Sequence, residues 1–180
     1  MLNKSFKAFI FTGAFHIMGC GTADANCIKP TARKTWYPQN AYYINAIDGG
    51  FHQTVENTIF DLELRTGEPF MHAEAGKDLD IKILYGDLEN AVIGQAETWS
   101  RYCRITMSNR VNPDSPSYEG WGNKDFAAIL RHEIGHCFGM EHSEDPNSIM
   151  YWQYHPVIHP GERAINNFVN DLKSFRDSHK

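Results

Sequence analysis

The sequence predicts an α+β domain, and three observations carry that prediction. Short apolar runs of strand character cluster in the earlier part of the chain, as in LDIKIL at 79–84. Apolar residues at helical spacing dominate two later stretches, near 124–138 and after Pro160. At 180 residues, with 42% hydrophobic and 13% aromatic content, the chain can bury one core and has no room for a second catalytic domain. Strands early and helices late favour a mixed architecture.

Residues 1–19 read as an export signal. Lys4 and Lys7 precede the apolar run AFIFTGAFHIMG, which holds no carboxylate, ends at Cys20 and is too short to span a bilayer as a helix. Its end, I-M-G-C, resembles a bacterial lipoprotein processing site and makes Cys20 the expected lipidated N-terminus, although Met18 is bulky for that site and His16 is polar. The chain is therefore expected to be exported and lipid-anchored at the bacterial cell envelope, or else secreted after cleavage nearby. Removing the leader takes two lysines from the 17 basic residues and no acid from the 22, so the formal charge moves from -5 to -7. An acidic chain without a basic block does not fit a nucleic-acid partner. Membrane contact is expected only through the anchor, and the protein is expected to be a monomer.

Residues 20–40 are polar and aperiodic, with Pro30 and Pro38, and fit a tether to a domain spanning 41–180. YYINAI at 42–47 reads as a strand ended by Gly49-Gly50, and Phe51, Val55, Ile59 and Leu62 form the stripe of a helix over 51–65 that stops at Gly67. After the strand at 79–84, residues 91–98 fit an edge strand in which Gly94 marks a bulge or the close approach of another backbone. A strand at 102–108 precedes the strongest helix, 124–138, whose apolar side is Phe126, Ile129, Leu130, Ile134 and Cys137, with Asn123 as its expected N-cap. The last helix follows Pro160, with Ile165, Phe168, Val169, Leu172 and Phe175 on one face. Export favours disulfides, and with Cys20 lipidated only Cys27, Cys103 and Cys137 remain. Cys103 with Cys137 is the preferred pair, while connectivity stays open.

The chemistry sits in RHEIGHCFGMEHSEDPNSIMY, 131–151. On a helix His132 and His136 leave one face, about 6 Å of rise apart, and can hold one ion. A catalytic zinc needs three protein ligands and an open position. Gly139 allows the helix to end in the left-handed conformation, so that the chain turns back and brings His142 to the same metal. Glu133, about 100° around from His132, is free to activate a metal-bound water whose pKa the zinc lowers to roughly 7, and then to protonate the leaving amine. Five fixed residues at these spacings arise by chance on the order of once in a few million start sites.

HEIGHCFGMEH resembles the metzincin zinc signature. Ser143 after it is similar to the matrixin branch, and SIMY is similar to the family's methionine turn. The resemblance implies a metzincin α+β fold with a twisted mixed sheet, a zinc-dependent endopeptidase acting on polypeptides laid along an edge strand, and Met150 as an apolar floor beneath the metal. It further implies Tyr154 in a wall of the specificity pocket, beside Trp152 where a proline is usual. A second zinc or calcium sites occur in matrixins, but His52, His72, Asp78, Asp80 and Asp87 match no such motif and read as surface residues, as do His155, His159 and His179. A thiolate from Cys27 blocking the metal, as in latent relatives, lacks a recognisable motif in DANCIKP. The rival class is a non-catalytic exported module that keeps the zinc fold to bind a protein partner. The intact Glu133 disfavours it.

Overall fold

The computed structural model describes residues 41–67, 79–89, 92–151 and 161–177, together with the backbone of two short strands, β1 (Ala8–Phe9) and β6 (Gln153–Tyr154), which pair antiparallel. The expected leader and tether otherwise lie outside the described residues, as do Cys20, Cys27, His72, Asp78, Trp152, His155, His159 and His179.

The remaining elements follow in chain order as β2 (Ala41–Asn45), α1 (His52–Thr66), β3 (Leu79–Gly86), β4 (Gly94–Thr98), β5 (Tyr102–Ser108), α2 (Asn123–Cys137) and α3 (Glu162–Asp177). They build a four-stranded mixed sheet in the order β2-β3-β5-β4. β2, β3 and β5 run parallel, and β4 returns antiparallel along β5, with Gly94 opposite Met107 and Thr98 opposite Cys103. The domain is thus α+β, and the segment expected at the edge of the sheet is its antiparallel edge strand.

Alternation along each strand decides which face the helices cover. Ile81 and Ile83 of β3, Cys103, Ile105 and Met107 of β5 and Ala96 of β4 are buried and share a core with Val55, Ile59 and Leu62 of α1. α2 contributes Phe126, Ile129, Leu130 and Ile134 to that core, and α3 adds Phe168, Val169 and Leu172. The Phe51 and Phe126 rings, with centroids 4.5 Å apart, join the start of α1 to α2. α1 stops at Gly67, whose φ of 73° lets its N–H turn back to the Glu63 carbonyl.

One boundary expectation is corrected. The N-cap of α2 is Gly122, and Asn123 is the first helical residue. The carboxylate of Asp125 accepts from the Gly122 N–H at 2.8 Å, so the helix start is closed from its third residue. The Asn123 side chain instead accepts from Thr54 Oγ1 at 3.0 Å, tying α2 to α1.

At the other end of α2 a disulfide joins Cys137 to Cys103 in the middle of the sheet, with Cα atoms 5.7 Å apart. The preferred pairing is the one formed. It fastens the residue after His136 to β5, so the last turn of the helix cannot fray away from the core.

Candidate metal centre

Two local devices bring the three histidines together. His132 and His136 stand one turn apart on one face of α2, and their ring centroids lie 4.7 Å apart. The helix then ends as the glycine predicted. Gly139 has φ 92°, its N–H donates to the His136 carbonyl at 2.9 Å, and the Met140 N–H reaches back to Gly135 at 2.9 Å. This paired closure is the Schellman motif. It reverses the chain and returns His142, whose ring centroid sits 4.8 Å from that of His136 and 5.2 Å from that of His132.

Backbone carbonyls fix how the rings face. His132 Nδ1 lies 2.7 Å from the Ile149 carbonyl and His136 Nδ1 lies 2.8 Å from the Met140 carbonyl. A carbonyl only accepts, so both Nδ1 atoms carry the proton and both Nε2 atoms present lone pairs. His136 Nε2 is nevertheless 3.0 Å from His132 Nε2 and 3.2 Å from His142 Nε2. Two acceptors at 3.0 Å repel unless a cation lies between them, and a tetrahedral ion at the usual zinc to nitrogen distance separates its ligands by about 3.3 Å. The three side chains are the group among the described residues able to hold a metal ion.

Electrostatics agree with that reading. Burial drives the His132 ring well below the ordinary histidine range, with the neighbouring imidazoles adding to the fall, and it lowers His136 to about 4. His142, the most open of the three, is also lowered by burial. The rings are therefore neutral at pH 7, as metal ligation requires.

Glu133 is fully buried, and neither carboxylate oxygen has a well-formed hydrogen bond among the described residues. Burial pushes its pKa well above the ordinary carboxylate range, partly opposed by the Ala96 backbone on β4. A buried carboxylate without a partner is costly and calls for a cation or a bound water beside it.

Gly94 explains how such a group fits under the sheet edge. A Cβ at residue 94 would come within 2.8 Å of both Glu133 Oε1 and Ile129 Cγ2. The close approach expected at Gly94 is thus real, but its partner is a side chain of α2 and not another backbone.

The methionine turn closes the site from below. Met150 is 3% exposed, and a Cβ on Gly135 would lie 2.5 Å from its sulfur, so Met150 packs directly on the helix backbone between the two histidine turns. The same turn supplies the Ile149 carbonyl to His132, and the Met150 carbonyl accepts from the Ser143 N–H at 2.7 Å, holding the segment next to His142. Tyr154 lies in β6, of which only the backbone is described.

The remaining candidate ligands stand apart. His52 Nδ1 contacts the Ile47 carbonyl at 2.8 Å, Asp87 accepts from Asn109 at 2.7 Å, and Asp80 is part of β3. Sequence reasoning missed Ile149 and Met140, which act through carbonyls, and Gly135. The last had a readable signal, because glycine inside a helix costs about 1 kcal/mol against alanine and marks a packing need.

Three inward-facing imidazoles on a helix and its return turn, beside a buried carboxylate and an edge strand, define an α+β protein with a candidate mononuclear metal centre. A family model described as Matrixin matches residues 60–174, and the chain belongs to that family. It is 47% identical over 38 residues to a probable matrix metalloproteinase 095L of Invertebrate iridescent virus 3, which covers 21% of this chain and 10% of the relative. It is 43% identical over 44 residues to matrilysin of Felis catus, covering 24% of this chain and 14% of the relative. The matched segments thus span a small part of either relative.

Proposed function

We propose that the protein is a zinc-dependent endopeptidase, with His132, His136 and His142 as metal ligands and Glu133 as general base and acid. The observation that carries this reading is the convergence of Nε2 atoms at 3.0 and 3.2 Å with both helical Nδ1 atoms tied to carbonyls, next to a buried carboxylate without a well-formed hydrogen bond among the described residues.

Zinc held there would lower the pKa of a bound water to about 7 and polarise a peptide carbonyl. Glu133 takes the proton of the attacking water on a carboxylate oxygen and later delivers it to the nitrogen of the departing amine. Burial raises its pKa above the ordinary carboxylate range, which makes the carboxylate a stronger base. The Ile149 and Met140 carbonyls keep the imidazoles in the tautomer that directs Nε2 inward. β4, with no strand on its outer side among the described residues, would take an extended polypeptide aligned by backbone hydrogen bonds near Glu133.

The leader read at residues 1–19 and Cys20 support an exported, lipid-anchored protein, and metabolic labelling with a fatty acid tests it: wild type incorporates label and Cys20→Ser does not. Cleavage of casein or a quenched peptide, with and without a chelator, tests the enzyme. Glu133→Ala keeps zinc and loses turnover, whereas His142→Ala loses both. Equal activity in wild type and the two variants would overturn the mechanism.

A further inference from the structure

We propose that Trp99, at the tip of the β4–β5 hairpin, forms an outer specificity subsite that favours an aromatic or large apolar residue about five positions upstream of the scissile bond. This deepens the endopeptidase reading and rests on it.

β4 ends the sheet, and among the described residues no strand pairs with its outer side. Its first residue, Gly94, lies against Glu133, so the chemistry is at that end. The strand then runs on alongside α2 to Thr98, opposite the disulfide-bonded Cys103, and five residue steps of about 3.3 Å put Trp99 roughly 17 Å from Gly94 along the edge. A peptide added to that edge pairs slightly more stably in the antiparallel sense, which places its residues N-terminal to the scissile bond along Gln95 to Trp99.

The faces of the strand decide what the peptide meets. Gly94 and Ala96 are buried toward α2, so Gln95 and Glu97 point to the opposite face. There Glu97 is in register with Arg104 and paired with it, and Arg104 Cζ reaches 5.6 Å from the centre of the Trp99 ring. The Tyr102 ring supports Trp99 from 5.3 Å, and the Trp99 backbone N–H donates to the Tyr102 carbonyl at 2.7 Å. The indole is thus held in place while 48% exposed. Every second side chain of a docked peptide points to this face, and the one level with Trp99 would stack on an indole whose ordering cost is already met.

Single exposed apolar residues are common and by themselves mean little. The others among the described residues lie elsewhere: Phe60 and Leu64 on α1, Tyr42 and Ile44 on β2 at the opposite edge of the sheet, and Tyr118 in the loop before α2. Among the exposed apolar side chains of the described residues, Trp99 is the one that continues the edge starting at Gly94. The charge of Arg104 is balanced by Glu97, which favours an apolar or aromatic side chain over an anionic one.

The test uses fluorogenic peptides that share one cleavage sequence, with Tyr or Ala scanned through the upstream positions. Wild type is assayed for kcat/KM, and binding of the same labelled peptides to the zinc-loaded Glu133→Ala protein is followed by fluorescence anisotropy. Tyr near the fifth upstream position should raise kcat/KM and tighten binding about three- to tenfold over Ala, the size of an aromatic pair. Trp99→Ala should erase that ratio, and Trp99→Phe should keep most of it. A ratio absent at every upstream position, or one that survives Trp99→Ala, overturns the subsite while leaving the peptidase intact. Peptides that stay uncleaved by wild type yet show the Trp99-dependent binding ratio would instead refute the peptidase reading and retain the subsite.

Discussion

The two flanks of α2 handle polar groups in opposite ways. On the flank that carries the site, His132 and Glu133 are almost completely buried, the imidazoles face one another, and the carboxylate has no well-formed hydrogen bond among the described residues. On the flank facing α1 and α3, every charge in the cluster has its opposite. Asp61 accepts from Arg65 at 2.7 Å and from Arg131 at 2.9 Å, and Arg65 also pairs with Glu162. Neighbouring residues of one helix, Arg131 and His132, thus belong to a compensated surface network and to an uncompensated buried site. Uncompensated burial costs stability, and in a folded chain it marks the place where a ligand supplies the missing charge.

The largest effect expected is on the buried flank. Glu133→Gln should lower kcat by about 10² to 10⁴-fold, the range for losing a general base, with zinc content and melting temperature held or raised. Loss of zinc together with activity would mean that Glu133 serves the metal and not the proton transfer.

The disulfide probes whether the docking of α2 on β5 sustains both flanks. The Cys103→Ser, Cys137→Ser double variant closes no loop across the 34-residue separation and should lose about 3 to 4 kcal/mol in a denaturant titration. Unchanged stability would show that the buried core alone fixes the helix.

The compensated flank should respond in stability and leave chemistry alone. Asp61→Asn should cost about 1 to 2 kcal/mol, with kcat and zinc retained. Burial raises the Asp61 pKa, but hydrogen bonds from Arg65 and Arg131 outweigh it and hold the carboxyl below its ordinary value. A carboxylate lowered by folding adds stability above its unfolded pKa, and that stability is lost as pH falls through the folded one. Thermal melts in acid should therefore show a steeper decline for wild type than for Asp61→Asn, and parallel curves would contradict the network.

The smallest effect is at the seam between strand and site. Gly94→Ala forces its methyl toward Glu133 and Ile129, and should reduce kcat a few-fold with KM little changed. The effect should shrink in a Glu133→Asp background, where the shorter side chain leaves room.

Much of the site was legible in the sequence because helical periodicity converts spacing into direction. Four residues between His132 and His136 can only place them on one face, and Gly139 could only serve the reversal that returns His142. Val55, Ile59 and Leu62 likewise announced the buried stripe of α1. The carbonyls of Ile149 and Met140 were not legible, since every residue carries the same backbone acceptor and only tertiary structure chooses which one meets an imidazole. Gly94 signalled crowding but could not name Glu133, which follows it by 39 positions and meets it only through the packing of α2 on β4. The N-cap was misplaced at Asn123 because its side chain is a good cap by type. Asp125 closes the helix start on Gly122 instead, and Asn123 is drawn toward Thr54.

X-ray absorption at the zinc edge of the metal-loaded full chain tests the centre most directly. Three imidazole nitrogens at about 2.0 to 2.1 Å with one oxygen ligand at a similar distance are predicted, falling to two imidazoles in His142→Ala. A sulfur shell near 2.3 Å, or a spectrum that His142→Ala leaves unaltered, would contradict the assignment.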